Sequence, residues 1–276
     1  MTDVKQTRKL VSQAYGAAVE AESCCGRPTP KGIAVKLAGY DEALLRELPA
    51  DAVVNSFGCG NPVAFAEIGE GQVVLDLGSG AGIDLLLAAK KVGRTGSVIG
   101  IDMTDEMIAK SQENIRAAGV ENIEVRKGII EELPVEDASV DWVISNCVIN
   151  LSPEKDRVFA EIARVLKPGG RMSVSDIVAE DLPGWVEADE SLYNSCIGGA
   201  ISEADYLGGL TEAGLVDVKV EERLPYGSAE VKALIESDLL DAPDSGCCGS
   251  STADAGAVAE AIADKVWSAR VTARKP

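Results

Sequence analysis

Two groups of residues in this 276-residue chain have types and spacing suited to chemistry: seven cysteines and one glycine-rich turn. The cysteines are Cys24, Cys25, Cys59, Cys147, Cys196, Cys247 and Cys248. None are spaced Cys-x-x-Cys as in zinc ribbons and thioredoxins, and an odd number does not complete a disulfide framework. Cys59 stands between two glycines in Ser56-Phe57-Gly58-Cys59-Gly60-Asn61-Pro62, with no local packing neighbour to explain it. Cys147 lies in Ser145-Asn146-Cys147-Val148-Ile149-Asn150-Leu151, and Cys196 in Asn194-Ser195-Cys196-Ile197-Gly198-Gly199-Ala200. Taken alone, Cys147 reads as a buried cysteine packed as a small apolar group. Three cysteines from distant parts of a chain, brought together, would instead form a trigonal set of soft ligands for a thiophilic centre. The chain contains no histidine. That excludes His-containing zinc sites, Ser-His-Asp triads and imidazole bases, so any general base is a carboxylate, Lys, Tyr or Cys.

The glycine-rich turn is Asp76-Leu77-Gly78-Ser79-Gly80-Ala81-Gly82, at the end of the apolar run Val73-Val74-Leu75. Glycines let backbone approach a ligand, and a following helix N-terminus favours negative charge. The dinucleotide pattern wants a third glycine where Ile83 stands. A carboxylate at Asp76, two residues before the first glycine, repels a pyrophosphate but attracts an ammonium group. Asp102 ends the next strand, where an acid accepts hydrogen bonds from ribose hydroxyls. A nucleoside donor with an ammonium and a sulfonium, S-adenosylmethionine, fits this charge pattern better than a nicotinamide cofactor.

These residues need a scaffold, and the chain divides into three parts. Residues 1–70 read as a helical lead-in, with Val4, Leu10, Val11, Ala14, Ala17 and Ala18 at helical spacing and a short helix through Asp41–Leu48. Residues 71–180 alternate strand and helix. Strands are expected at 72–77, 97–101, 122–126, 140–145 and 171–178. Helices are expected at 83–92, from a Thr104 cap to about 118, and at 153–166. This predicts an α/β fold, a doubly wound and mostly parallel sheet. Residues 181–276 read as a smaller α+β domain. It has helical stretches at 185–194 and 202–213, a strand at 215–220, a mobile loop over 241–256 and a final helix over 257–273. The net charge of −19 opposes nucleic acid or anionic lipid as partners. No apolar run is long enough to span a membrane, and the N-terminus lacks a signal core. A cytoplasmic location is expected.

Asp76-Leu77-Gly78-Ser79-Gly80, Gly100-Ile101-Asp102-Met103, Gly128-Ile129-Ile130-Glu131-Glu132-Leu133-Pro134 and Val165-Leu166-Lys167-Pro168-Gly169-Gly170 resemble the ordered motifs of the Rossmann-like class I S-adenosylmethionine-dependent methyltransferase fold. The resemblance implies that Asp76, Gly78, Ser79 and Gly80 hold the methionine end and Asp102 the ribose. Met103, Ile130, Glu131 and Asn146 complete the cofactor site. Many relatives carry Asp where this chain has Ile129, which leaves the adenine amino group to Glu131 or to backbone.

The cysteine-bearing segments resemble arsenite methyltransferases, most specifically in the Ser145–Leu151 heptapeptide. Trivalent arsenic takes three sulfurs as a pyramid and keeps a lone pair able to attack a methyl carbon. No proton leaves such a nucleophile, which suits a chain without histidine. By resemblance, Cys59, Cys147 and Cys196 bind arsenic and are catalytic, and Cys24 or Cys25 passes arsenic inward or forms a disulfide with Cys59 during turnover. Cys247-Cys248 either captures arsenite from solvent or is dispensable. The expected activity is methyl transfer from S-adenosylmethionine to arsenite or thiol-bound trivalent arsenic. It would be supported by a thiol reductant such as glutathione or thioredoxin. The alternatives are methylation of an organic small molecule and non-enzymatic metalloid binding.

Overall fold

The structure is a computed structural model and describes residues 4–20, 39–187, 189–238 and 255–276. Cys24, Cys25, Cys247 and Cys248, and most of the 241–256 segment, lie outside the described residues.

Helix α1 (Val4–Glu20) opens the chain, followed by the short helices α2 (Glu42–Leu45), α3 (Ala50–Val54) and α4 (Pro62–Phe65). Strand β1 (Val73–Leu77) leads through the glycine turn into α5 (Ile83–Val92), then β2 (Ser97–Asp102), α6 (Asp105–Ala118) and β3 (Ile123–Lys127). β4 (Val140–Asn146), a 3-10 turn at Ile149–Leu151, α7 (Lys155–Val165) and β5 (Leu166–Ala179) come next. The rest comprises α8 (Gly184–Glu187), α9 (Glu190–Asn194), α10 (Glu203–Glu212), β6 (Val216–Pro225), α11 (Ser228–Asp238), α12 (Ala255–Ile262) and β7 (Val266–Arg274).

The strands form one seven-stranded sheet in the order β3-β2-β1-β4-β5-β7-β6. β1 to β5 pair in parallel, and β7 runs antiparallel to both β5 and β6. The doubly wound α/β expectation therefore holds. β6 and β7, from the segment beyond residue 180, extend the same sheet. Leu75, Leu77, Val143 and Val174 are fully buried, as strands covered by helices on both faces must be.

Local sequence explains most elements. In α5, Leu85, Leu86 and Ala88 are buried and Gly93 ends the helix at a positive φ. Ser202 caps α10 by accepting the Asp205 N–H.

Four expectations change. The final helix over 257–273 is a helix only to Ile262; Val266–Arg274 is strand β7. Its alanines favour helix, but the segment fills the slot between β5 and β6, and pairing on both edges overrides that propensity. β5 begins at Leu166 rather than 171, because Leu166 pairs with Val140 before the bulge at Pro168-Gly169-Gly170, where Gly169 has a φ of 79°. The stretch 185–194 is two short helices. Thr104 sits at the start of α6, but its hydroxyl donates to Ser12 Oγ on α1 and accepts no N–H from the α6 backbone.

Candidate functional site

Where the sheet order reverses between β1 and β4, the loops after the two strands part and leave a crevice. A cavity opens there, floored by Gly78–Gly80 and roofed by Arg8, Val11 and Tyr15 of α1. Gly78 has a φ of 66°, and a side chain there would collide with Val148. Gly82 (φ 92°) starts α5 without a side-chain cap, so the first helical N–H groups face the turn.

Asp76, Asp84 and Asp102 line this cavity together with Glu131. Burial pushes the Asp76 carboxyl well above the usual carboxylate range, helped by the charges of Asp84 and Asp102. Burial also raises Asp84 to about 6, against hydrogen bonds from Asn146 and Tyr40, and raises Asp102. Asp102 accepts the Gly80 N–H at Oδ2 and the Thr104 N–H at Oδ1, both at 2.9 Å, which locks the β2 end to the glycine turn. Acids buried together at one cavity call for a cationic ligand. The buried Ser79 Oγ has no hydrogen-bond partner among the described residues, an orphan that a ligand would satisfy. Charge, glycine cradle and orphan hydroxyl all fit S-adenosylmethionine.

Met103, Ile130, Glu131 and Asn146 line the same cavity. Glu131 also has partners within the protein. Its Oε1 accepts from Ser152 Oγ at 2.6 Å and from Arg8 Nε at 3.2 Å, so this carboxylate already anchors α1. The sequence does not single out Arg8, Tyr40 or Asp84. Asp84 had a signal in its place one residue into a helix that follows the glycine turn. The others had none, since each meets the site from a remote segment.

The three cysteines Cys59, Cys147 and Cys196 converge in one apolar cluster with Val11, Leu151, Ile177 and Tyr226. Each is 5% exposed or less. Cys147 lines the donor cavity. It follows β4 in the left-handed region, with a φ of 59°, and Cys196 has a φ of 61°. Such conformations for non-glycine residues gather at functional sites. Cys196 Sγ donates to the Cys147 carbonyl at 2.7 Å and lies 4.0 Å from Tyr15 Oη. The Cys147 turn is pinned by Lys155, whose ammonium donates to the Asn150 and Ser152 carbonyls at 3.1 and 3.0 Å.

The structure departs from three separate thiolates in one respect. Cys59 and Cys147 are joined as a disulfide, with Cα atoms 5.8 Å apart, while Cys196 remains a thiol. Their backbone spacing lies within the bonding range. Among the described residues, no three side chains stand ready to hold a metal ion. The trigonal set therefore requires reduction of this pair.

A family described as a methyltransferase domain matches residues 68–223. The arsenite methyltransferase of Halobacterium salinarum is 43% identical over 79% of this chain and 59% of its own length. The arsenite methyltransferase of Mus musculus is 34% identical over 72% and 55%. The chain thus spans somewhat over half the length of these curated relatives. The crystal structure of CrArsM, an arsenic (III) S-adenosylmethionine methyltransferase from Chlamydomonas reinhardtii, superposes with a TM-score of 0.61. It is 31% identical and aligns over 90% of this chain and 74% of that one.

Proposed function

The chain belongs to the arsenite methyltransferase family, and from that premise we propose that it transfers methyl groups from S-adenosylmethionine to trivalent arsenic held on Cys59, Cys147 and Cys196. The observation that carries this reading is the meeting of three cysteines from three distant segments beside the donor cavity.

Asp76 would hold the donor's ammonium and Asp102 its ribose hydroxyls, while Met103 would pack on the adenine and Ile130 line its edge. The arsenic lone pair attacks the methyl carbon. The As–C bond forms as the S–C bond breaks, and the sulfonium leaves as a neutral thioether. No proton is lost by the nucleophile, so the absence of histidine is no handicap. The work of the protein is alignment and exclusion of water, for which the apolar cluster around the sulfurs is suited. The methylated arsenic has given up an electron pair to the new bond. The As–S bonds to Cys59 and Cys147 then break as an S–S bond forms between them; the electron pair released returns the methylated arsenic to the trivalent state, still held on Cys196. A thiol reductant, such as glutathione or thioredoxin, then restores the thiols. This chemistry suits the reducing cytoplasm. Among the described residues no helix is long and apolar enough to cross a membrane, and a net charge of −19 disfavours nucleic acid.

The test incubates the protein with S-adenosylmethionine, arsenite and a thiol reductant, then separates arsenic species by mass. Methylated arsenic is expected, and Cys147→Ser or Cys196→Ser should lose it while still binding S-adenosylhomocysteine. Methylation of an organic acceptor with no methylated arsenic would overturn the proposal.

A further inference from the structure

In the wall of the donor cavity nearest the cysteines, Asn146 and Asp84 join Tyr40 in a polar network. Asn146, the last residue of β4, lays its carboxamide against the Cys59 loop. Oδ1 accepts the Gly60 N–H at 3.1 Å, and Nδ2 donates to the Gly60 carbonyl at 2.7 Å. The side chain thus pairs with Gly60 as a neighbouring strand would, with one acceptor and one donor. The same Nδ2 lies 2.9 Å from Tyr40 Oη and 3.2 Å from Asp84 Oδ2. Tyr40 donates its hydroxyl to the Asp84 carboxylate, 2.9 and 3.0 Å from its two oxygens.

The arrangement has a physical purpose. Cys59 is flanked by Gly58 and Gly60, the residues that lose most backbone freedom on ordering. Such a loop needs clamps from outside. Tyr226 supplies one, donating to the Cys59 carbonyl at 3.2 Å. Asn146 supplies another, and space for it is tight: a Cβ on Gly58 would collide with its carboxamide. A carboxamide can turn over and exchange its ends. Asp84 when ionised only accepts, so it holds Nδ2 on its own side and leaves Oδ1 for the Gly60 N–H. Tyr40 in turn fixes Asp84.

We propose that Tyr40, Asp84 and Asn146 are positioning residues that hold the Cys59 loop in place and so set the effective concentration of the Cys59 sulfur at Cys147. The purpose rests on the arsenic reading above. The effect itself is read in thiol chemistry alone.

The measurement equilibrates the full chain in glutathione buffers of varied ratio. The two thiols pass two electrons to oxidised glutathione, giving the Cys59–Cys147 disulfide and two molecules of reduced glutathione. Trapping remaining thiols by alkylation and weighing the linked peptide gives the equilibrium constant. Asn146→Leu should lower that constant about tenfold or more, as loss of a buried hydrogen-bond pair implies. Tyr40→Phe keeps the shape and removes one hydroxyl, so it guards against an Asn146 variant that fails to fold. It should lower the constant several-fold and lower kcat for arsenic methylation. Constants within about twofold of the parent in folded variants would overturn the proposal. No arsenic enters this titration. Failure of the parent chain to methylate arsenic therefore overturns the proposed function alone, and unchanged constants in an arsenic-methylating enzyme overturn the positioning role alone.

Discussion

Asp76, Asp84 and Asp102 show at the level of single residues how a site can be held ready for a cation. Buried together, they repel one another and bind protons more tightly than a solvated carboxylate does. A donor that brings an ammonium and a sulfonium must displace those protons. Its affinity should therefore fall as pH drops from about 8 through the Asp84 value near 6. Calorimetric titration across that range checks this. Asp76→Asn should weaken donor binding by about ten- to a hundredfold, the scale of a lost charge-assisted hydrogen bond. It should also stabilise the donor-free protein by removing a like charge. A variant binding the donor as tightly as the parent would show that the ammonium lies elsewhere.

Among the elements, α1 acts as a strap over the donor cavity. Its Arg8 reaches Glu131 and Glu154, and the Tyr15 ring meets Phe57 edge to face at 5.6 Å. Arg8→Ala leaves Glu131, 3% exposed at its side chain, without its cation. A loss of about 1–3 kcal/mol is expected for an orphaned buried group, together with faster proteolysis of α1 and faster donor release. Chemical denaturation, timed trypsin digestion and stopped-flow displacement would record these. Strand β7 is equally decisive, because it is bonded along both edges and Ala269 and Val271 are fully buried. Ala269→Pro removes a ladder donor inside the sheet and should prevent folding, whereas a helix-terminal proline would be tolerated. Circular dichroism of the purified variant decides between them.

For the molecule as a whole, stability against pH is shaped by a buried acid distant from any solvated partner. Asp176 is fully buried, and burial pushes its carboxyl up to about 7, against help from the Ile177 N–H, the Lys155 ammonium and Tyr206. The folded state therefore holds this proton more tightly than the unfolded chain. Stability from this group is gained as pH falls through about 7 and lost as pH rises past it. Asp176→Asn should flatten the fall in thermal midpoint between about pH 4 and 7 and raise the midpoint above that range. An unchanged slope would mean that Asp176 stays ionised throughout.

The sequence by itself determined the succession of strands β1 to β5 along the chain, the glycine turn, the acids at 76 and 102 and the three cysteines worth watching. These are local signals: an apolar run, a turn that demands glycine and a helix start lie within about ten residues of one another. The tertiary structure alone decided three further matters. It turned 266–274 from helix to strand, because two strand edges waited on either side. It paired Cys59 with Cys147 across 88 positions. It also brought Tyr40 to Asn146 and Arg8 to Glu131 across 106 and 123 positions. Propensity and periodicity act over a turn or two of chain, whereas partners so far apart meet only when the sheet closes and the helices fold over its edge.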